Sequence, residues 1–153
     1  FTSATLVVLG LHAIYYFRTA LDIRYVIFLA LATLGADSFA YFVGRAIGKH
    51  KLNPRLSPKK TIEGSIGGIV CGGLLGLAYA YCVQIPYAFP HLALMSFVLA
   101  TTGQIGDLTF SSIKRTFEVK DYSQIFPGHG GVLDRFDSII FNSMILGFLL
   151  TLL

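Results

Sequence analysis

Charged residues are scarce in this sequence. Only 13% of its 153 residues are Asp, Glu, Lys or Arg, whereas an ordinary soluble domain carries about 25%. Apolar residues make up 54% and the mean hydropathy is +0.68, so a typical soluble domain is excluded. The only two cysteines, Cys71 and Cys82, are too far apart on one predicted helix to meet, and no metal-type cysteine spacing is present. We therefore expect a membrane protein without an internal disulfide.

Five apolar stretches are long enough, with their flanking polar turns, to form membrane-spanning helices, which need about 20 residues. They cover Thr2–Phe17, Tyr25–Ile47, Ile62–Val83, Leu92–Ile105 and Val132–Leu153. The first stretch has no basic n-region or cleavage site, so it is interpreted as a spanning helix and not as a signal peptide. The sequence therefore predicts an all-α integral membrane bundle of about five transmembrane helices. We expect one transmembrane catalytic domain over residues 1–153, forming the C-terminal portion of a longer architecture.

The basic residues are unevenly distributed, and this predicts the orientation of the helices. Ten of the twelve Lys and Arg fall within residues 45–60 and 114–135, whereas residues 84–91 contain none. Cytoplasmic loops are enriched in Lys and Arg, so the basic loop 48–61 and the loop 111–137 are both expected in the cytoplasm. The alternative is that these cations only set topology and touch anionic lipid headgroups.

Small residues recur at every fourth position on two predicted helices. The third helix carries one such stripe and the second carries another: Gly64, Gly68, Gly72 and Gly76, and Ala36, Ala40, Gly44 and Gly48. Because such stripes let helix backbones approach closely within lipid, we expect these two helices to pack on each other. The alternative uses of the smooth face are to admit a lipid tail or to line a homodimer contact.

Acidic residues interrupt three of the predicted helices. Asp37 lies near the middle of the second helix and Asp107 near the cytoplasmic end of the fourth, and such carboxylates face the bundle interior or a water-filled cavity. Asp134 and Asp137 stack on one face at the start of the fifth helix, where helix capping is the alternative role. Converging carboxylates repel one another unless a cation neutralises them. We therefore expect Asp107, Asp134 and Asp137 to hold Mg²⁺, which combines few carboxylates with water and substrate phosphates.

Groups suited to phosphate binding flank these acids in the sequence. Candidates at the start of the third helix are Ser57, Lys59, Lys60 and Thr61. Their alternative roles are helix capping by the hydroxyls and solvent exposure of the lysines. Gly128, Gly130 and Gly131 permit positive φ and close backbone approach to an anion. His129 between them is a candidate proton carrier or phosphate donor, with a plain turn and a structural histidine as the alternative.

Three motifs carry a resemblance to a known family. The longest reads Ser111-x-Ile-Lys-Arg, four residues, Lys120-Asp-x-Ser123, two residues, Phe126-Pro-x-His-Gly-Gly-Val-x-Asp-Arg-Phe-Asp137. The others read Asp37-Ser-Phe-Ala-Tyr-x-x-Gly-Arg-x-x-Gly-Lys49 and Ser57-Pro-Lys-Lys-Thr-x-Glu-Gly64. Together they resemble the signature of the phosphatidate cytidylyltransferases, also called CDP-diacylglycerol synthases, over about Ala36 to the end of the chain.

The resemblance implies a nucleotidyltransferase of phospholipid biosynthesis that converts CTP and phosphatidate to CDP-diacylglycerol and pyrophosphate. It implies an integral protein of the bacterial inner (cytoplasmic) membrane, with its active site on the cytoplasmic side and no nucleic-acid partner. Its cofactor would be Mg²⁺, with room for a second divalent or monovalent ion. The catalytic residues that it implies are Asp107, Asp134, Asp137, Lys120 and His129. The implied substrate-binding residues are Asp37, Ser57, Lys59, Lys60, Thr61, Ser111, Lys114, Arg115, Asp121, Gly130, Gly131 and Arg135.

Two other functions fit parts of the pattern. One is another CTP-dependent membrane lipid enzyme, of the polyprenol kinase or CDP-archaeol synthase type. The other is a small cation transporter that uses Asp37 and Asp107, although a transporter gives no reason for the long basic, glycine-containing loop. The pattern of the CDP-alcohol phosphotransferases is not present. CTP-dependent turnover without vectorial transport would separate an enzyme from a transporter.

Overall fold

A computed structural model describes residues 2–53, 56–116 and 133–153, with the side chains of residues 2, 3, 58 and 133–135 outside that description. Within these residues there are five α-helices: α1 (Thr2–Tyr16), α2 (Ile23–Ile47), α3 (Ile62–Cys82), α4 (Phe89–Thr116) and α5 (Leu133–Leu152). A π-helical segment, Phe17–Leu21, continues α1. Two antiparallel strands, β1 (Lys51–Asn53) and β2 (Ser57–Thr61), connect α2 to α3. The predicted helical bundle is confirmed, and the small hairpin is an addition to it.

Helix α4 is longer at both ends than the apolar stretch that predicted it. It continues to Thr116, so the first six residues of the predicted loop 111–137 are helical. Near its end the Lys114 side chain is only 11% exposed and its ammonium lies 3.9 Å from a carboxylate oxygen of Asp137 on α5. Because this polar side chain has a partner on the neighbouring helix, the last turns of α4 do not need to unwind into a loop.

The surface of the bundle is suited to lipid. In the described part of the chain three segments are long and apolar enough to cross a membrane, namely Ala4–Leu21, Ile23–Ile47 and Ile62–Cys82, and α5 carries a shorter apolar run over Phe136–Leu152. Large apolar side chains such as Val8, Phe42 and Phe148 are more than half exposed, which water would disfavour and hydrocarbon would not. The chain is therefore an integral membrane protein, as its composition predicts.

Helices α2 and α3 pack through their small residues, as predicted. A Cβ atom added to Gly72 would lie 2.5 Å from the backbone nitrogen of Ala36, and one added to Gly68 would lie 2.5 Å from the Ala36 carbonyl oxygen. A Cβ added to Gly64 would lie equally close to the carbonyl oxygen of Ala40. The two backbones are therefore in direct contact. The glycine face of α3 is used within the subunit and not for a lipid tail or a second copy.

A polar cluster joins three helices inside the apolar core. The Asn142 amide on α5 donates to Thr33 Oγ1 on α2 at 2.8 Å and to the Leu99 carbonyl on α4 at 2.7 Å. Thr102 Oγ1 on α4 donates to the Asn142 side-chain oxygen at 2.7 Å. Asn142 is fully buried, so these partners satisfy groups that would be costly to leave unpaired in the bundle. The cluster fixes the part of α5 that precedes it, which carries Asp137.

Helix α1 is attached mainly through α5. Ser143 Oγ on α5 donates to the carbonyl oxygen of Gly10 on α1 at 2.8 Å. A Cβ added to Gly10 would lie 2.5 Å from the Ile140 carbonyl oxygen, so these backbones also touch. Phe17, the first residue of the π-helical segment that continues α1, is buried in the core cluster. The first and last helices of the chain are therefore neighbours.

Candidate functional site

A cavity of about 790 Å³ lies where the hairpin meets α2, α3, α4 and α5. It follows α2 from Leu34 to Gly48, a length of about 21 Å at the rise of an α-helix. Helix α2 contributes six lining residues, namely Leu34, Asp37, Ala40, Tyr41, Gly44 and Arg45, and its C-cap residue Gly48 also lines the cavity. The remaining lining residues are Lys51, Leu52, Ser57, Lys59, Lys60, Thr61, Ser65, Gln104, Asp107, Asp137 and Ser138. Polar and charged residues from five elements thus face one space.

Three carboxylates from three different helices line this cavity. Asp37 comes from α2, Asp107 from α4 and Asp137 from the first turn of α5. Ser138 Oγ donates to the Asp37 carboxylate at 3.2 Å, and the Ser138 backbone N–H donates to the Asp137 carboxylate at 2.8 Å. Of the acids predicted to converge, Asp107 and Asp137 line one cavity, and Asp37 lines it as well; the side chain of Asp134 lies outside the described residues.

Lysines accompany two of these acids. Lys60 at the end of the hairpin forms an ion pair with Asp107. Lys114 lies 3.9 Å from Asp137, and both side chains are nearly buried. Buried charges of one sign are costly unless charges of the other sign lie close. Part of the neutralisation that the sequence analysis assigned to a metal ion is therefore supplied by lysine side chains.

Further cations line the basic end of the cavity, next to the hairpin. Lys51 and Lys59 stand on the two strands of the hairpin, and Arg45 stands on α2, two helical turns beyond Asp37; all three are exposed. Arg45 Nη1 donates to the Tyr41 hydroxyl at 3.3 Å. The cavity therefore combines exposed cations at the hairpin with carboxylates on the helices, an arrangement that suits a phosphate-bearing ligand.

The base of the hairpin is held tightly against the helices. Thr61 is the N-cap residue of α3, since its hydroxyl accepts a hydrogen bond from the Gly64 N–H at 3.2 Å. The same oxygen would lie 2.7 Å from a Cβ on Gly44 and 2.6 Å from a Cβ on Gly48. The capping role that the sequence analysis left open for Thr61 is thus observed. Glycine at positions 44 and 48 allows this close approach.

The predicted site residues fall into three groups. Those that the structure brings together around the cavity are Asp37, Ser57, Lys59, Lys60, Thr61, Asp107 and Asp137. Ser111, Lys114 and Arg115 lie on the last turns of α4 and are not lining residues in the described part of the cavity, although Lys114 reaches Asp137. Outside the described residues lie Lys120, Asp121, His129, Gly130 and Gly131, together with the side chains of Asp134 and Arg135. The roles given to this last group stay predictions.

Six polar or charged lining residues were not predicted as part of the site: Tyr41, Arg45, Lys51, Ser65, Gln104 and Ser138. Gln104 Nε2 donates to the Ser65 carbonyl at 3.1 Å and its side-chain oxygen accepts from Ser65 Oγ, so the pair joins α3 to α4. For Gln104 and Ser138, the signal in the sequence is their position relative to a predicted acid. Gln104 lies one turn before Asp107 and Ser138 follows Asp137 directly, so each shares a face or an end with a predicted acid.

The donor set is compatible with Mg²⁺. Among the described residues, no three His, Cys, Asp or Glu side chains are grouped so that they could hold a metal ion by themselves. Mg²⁺ does not need such a cage, because it is usually bound by one or two carboxylates, water and substrate phosphates. Asp107 and Asp137 offer those carboxylates at the cavity wall. The residues present therefore fit a magnesium ion that binds together with a phosphate ligand.

Comparison with known proteins agrees with this chemistry. The chain matches the model of the cytidylyltransferase family over residues 1–153. It is 45% identical over 130 residues to the phosphatidate cytidylyltransferase of Bacillus subtilis, an alignment that covers 85% of this chain and 48% of the relative. It is also 45% identical over 142 residues to a Staphylococcus epidermidis protein of the same name, covering 92% of this chain and 55% of the relative.

These alignments cover most of this chain but only about half of each relative. A Staphylococcus aureus phosphatidate cytidylyltransferase is 42% identical over 142 residues, again with 92% of this chain and 55% of the relative aligned. The chain thus spans about half the length of the curated relatives that it matches. Identity at this level over most of the chain, together with the match of the whole chain to the family model, leads to one conclusion: this chain belongs to the cytidylyltransferase family.

Proposed function

We propose that this chain carries the catalytic centre of a phosphatidate cytidylyltransferase, which transfers the cytidylyl group of CTP to phosphatidate and gives CDP-diacylglycerol and pyrophosphate. The observation that carries the proposal is the cavity in which Asp37, Asp107 and Asp137 meet the lysines of the hairpin. Membership of the cytidylyltransferase family and the names of the relatives support the same reaction. The active site would face the cytoplasm of a bacterial inner membrane, in keeping with the basic residues around the cavity.

The reaction needs no nucleophilic side chain. A non-bridging oxygen of the phosphatidate phosphate attacks the α-phosphorus of CTP and forms a new P–O bond. The bond from the α-phosphorus to the oxygen that bridges to the β-phosphate breaks, and its electron pair leaves with pyrophosphate. The protein contributes by aligning two anionic reactants and by stabilising the charge that develops on the leaving group.

The positions of the cations suggest how this stabilisation is divided. Lys51 and Lys59 on the hairpin, with Arg45 on α2, are exposed at the cavity and would contact phosphates of CTP. The apolar surface of the helices beside the cavity would accommodate the acyl chains of phosphatidate. Lys60 is already paired with Asp107, so it would orient this carboxylate and turn its remaining N–H groups toward a phosphate.

Mg²⁺ is the proposed cofactor, with Asp107 and Asp137 as ligands and Asp134 as the further predicted ligand. When bound, it would supply positive charge to the phosphates of CTP. Ser138 would keep the neighbouring carboxylates in place, because its hydroxyl donates to Asp37 and its backbone N–H to Asp137. The glycine stripe of α3 packs on α2 within the subunit, so a homodimer would have to form through another surface.

The ion pairs favour an enzyme over a cation transporter. Fixed ammonium groups stand beside Asp107 and Asp137. Such groups repel a cation that passes through alone, whereas they attract phosphate, and a phosphate ligand would bring Mg²⁺ with it.

The test is a transfer assay with detergent-solubilised protein, phosphatidate and Mg²⁺, using CTP labelled in two ways. With α-³²P-CTP, a cytidylyltransferase puts label into the lipid fraction and releases unlabelled pyrophosphate. With γ-³²P-CTP, the same enzyme leaves the lipid unlabelled, whereas a lipid kinase labels it. Replacing phosphatidate by a polyprenol or by diacylglycerol tests the kinase alternative directly.

Variants connect the activity to the cavity. Asp137→Asn keeps the size of the side chain and removes the charge, so transfer should fall by about 10² or more if this carboxylate serves the developing charge. Asp22→Asn is the matched control, because Asp22 is an exposed carboxylate between α1 and α2 and is not a lining residue of the cavity. Equal losses in both variants, or lipid labelling from γ-³²P-CTP, would contradict the proposal.

A further inference from the structure

The hairpin that carries three of the cavity lysines is fastened by a carboxylate that does not line the cavity. We propose that Glu63 is a positioning residue, which fixes the hairpin on the first turn of α3 and thereby sets the position of Lys59 toward the phosphates of the nucleotide. This inference rests on the proposed function for its substrate, and on the hydrogen bonds around Glu63 for its geometry.

Glu63, in the first turn of α3, accepts hydrogen bonds from the segment of the chain that precedes β1. One of its carboxylate oxygens accepts from the Lys49 backbone N–H at 3.1 Å, and both oxygens lie 3.3 Å from the His50 backbone nitrogen. The His50 ring nitrogen Nδ1 lies 2.6 Å from the carboxylate. Two backbone groups and one side chain therefore converge on a single carboxylate.

These contacts close the base of the hairpin. The His50 carbonyl oxygen accepts from the Ile62 N–H at 2.9 Å, and Lys51 pairs with Thr61 across the strands. Helix α2 ends at Ile47, so the amides of residues 49 and 50 have left the helix and need acceptors elsewhere. Glu63 provides these acceptors and joins the segment after α2 to the start of α3.

Glu63 has no direct route to the reacting groups. It is not among the described lining residues of the cavity, whereas Lys51, Lys59 and Lys60 on the hairpin are. A carboxylate in the first turn of a helix also stabilises that helix through its dipole, and this role alone would change stability without changing nucleotide binding. A positioning role therefore predicts a change in the KM for CTP that is larger than the change in kcat, whereas a purely stabilising role leaves the KM for CTP unchanged.

The first experiment measures kcat and KM for CTP in purified, detergent-solubilised protein. Glu63→Ala should raise the KM for CTP about tenfold, the order expected when one or two charge-assisted hydrogen bonds are lost, with a smaller change in kcat. Glu63→Gln should recover part of this loss, because its amide oxygen still accepts from a backbone N–H. Asp22→Ala is the matched control, since it also removes a carboxylate that accepts from a backbone N–H near a helix start, away from the cavity. Its KM for CTP should equal that of the wild type.

A double variant tests whether Glu63 acts through the hairpin lysine. If Glu63 positions Lys59, the combination of Glu63→Ala and Lys59→Ala should have the same KM as Lys59→Ala alone. If the two effects multiply in KM, Glu63 does not act through Lys59 and the proposal is overturned. An unchanged KM in Glu63→Ala would overturn it as well.

Hydrogen exchange separates this inference from the proposed function. The amides of Lys49 and His50 should exchange faster in Glu63→Ala than in the wild type, whatever the reaction is. If the wild type lacks cytidylyl transfer but the exchange responds, the proposed function fails while the attachment of the hairpin stands. If exchange at these two amides is unchanged, the attachment itself is refuted even when transfer is observed.

Discussion

One of the closest approaches between α2 and α3 gives a quantitative prediction. A Cβ atom on Gly72 would lie 2.5, 2.6 and 2.7 Å from the backbone nitrogen, Cα and Cβ of Ala36. Non-bonded atoms prefer separations of about 3.5–4.0 Å, so Gly72→Ala requires the two helices to part by about 1 Å. None of the three obstructing atoms can move by a side-chain rotation. We expect the strain to be relieved only by loss of packing along the whole stripe.

The magnitude follows from a matched substitution. Gly147→Ala, on α5, places its Cβ 3.7 Å from the Phe17 ring, an ordinary contact. Both variants gain the helix propensity of alanine, about 1 kcal/mol, so this gain cancels between them. The remaining difference measures overpacking, about 1–3 kcal/mol. At roughly 2–4 °C per kcal/mol for a chain of this size, Gly72→Ala should unfold about 2–12 °C below Gly147→Ala.

The assay is thermal unfolding of both variants in the same detergent, followed by loss of the monodisperse peak in size-exclusion chromatography. Gly72→Ala should also reduce the proposed cytidylyl transfer, because α2 carries Asp37 and α3 supports the hairpin. If the two variants unfold at the same temperature, the direct backbone contact between α2 and α3 is refuted.

Three further predictions concern the polar groups. Asn142→Leu should destabilise the protein by about 1–3 kcal/mol, since its buried partners lose their hydrogen bonds; an unchanged thermal midpoint would contradict this. Lys60→Met should lower kcat/KM for CTP about 10²-fold, the order for one electrostatic group, because it removes a cavity cation and leaves Asp107 unpaired; retained activity in the transfer assay argues against this role. The backbone N–H of Arg24, and then its guanidinium, hold the pKa of Asp22 below its ordinary value. Because its folded-state pKa is lowered, Asp22 stabilises the fold at pH values above its unfolded pKa of about 4, and this contribution is lost as the pH falls through the folded-state pKa. The thermal midpoint of the wild type should therefore fall toward that of Asp22→Asn at acidic pH.

The positions of the helices could be predicted because hydrocarbon imposes a simple rule of length and apolarity. Seven predicted boundaries lie within one residue of the observed ones: both ends of α1, α3 and α5, and the end of α2 at Ile47. The packing of α2 on α3 could also be predicted from the sequence, because only a repeat of small residues at every fourth position allows such backbone contact.

The parts that could not be predicted depend on tertiary partners. The sequence predicts a loop at the end of α4 because Ser111 and Lys114 are polar, and nothing local indicates that Lys114 contacts Asp137. The hairpin was missed because its strands are three and five residues long and lack an apolar alternation. The candidate acids were found because a carboxylate in an apolar helix is conspicuous, whereas Ser65 and Gln104 are ordinary residues until α3 and α4 meet.

The contact between the first and last helices has a consequence for biosynthesis. Gly10 and Ser143, joined by a hydrogen bond, are separated by 133 positions in the chain. During synthesis α1 enters the bilayer long before its partner exists, while α2 and α3 are close in sequence and can associate early. The carboxylate of Asp137 also arrives only with α5. Insertion of α5 is therefore expected to be a late step in the assembly of this bundle, one that seats α1 and completes the wall of the cavity.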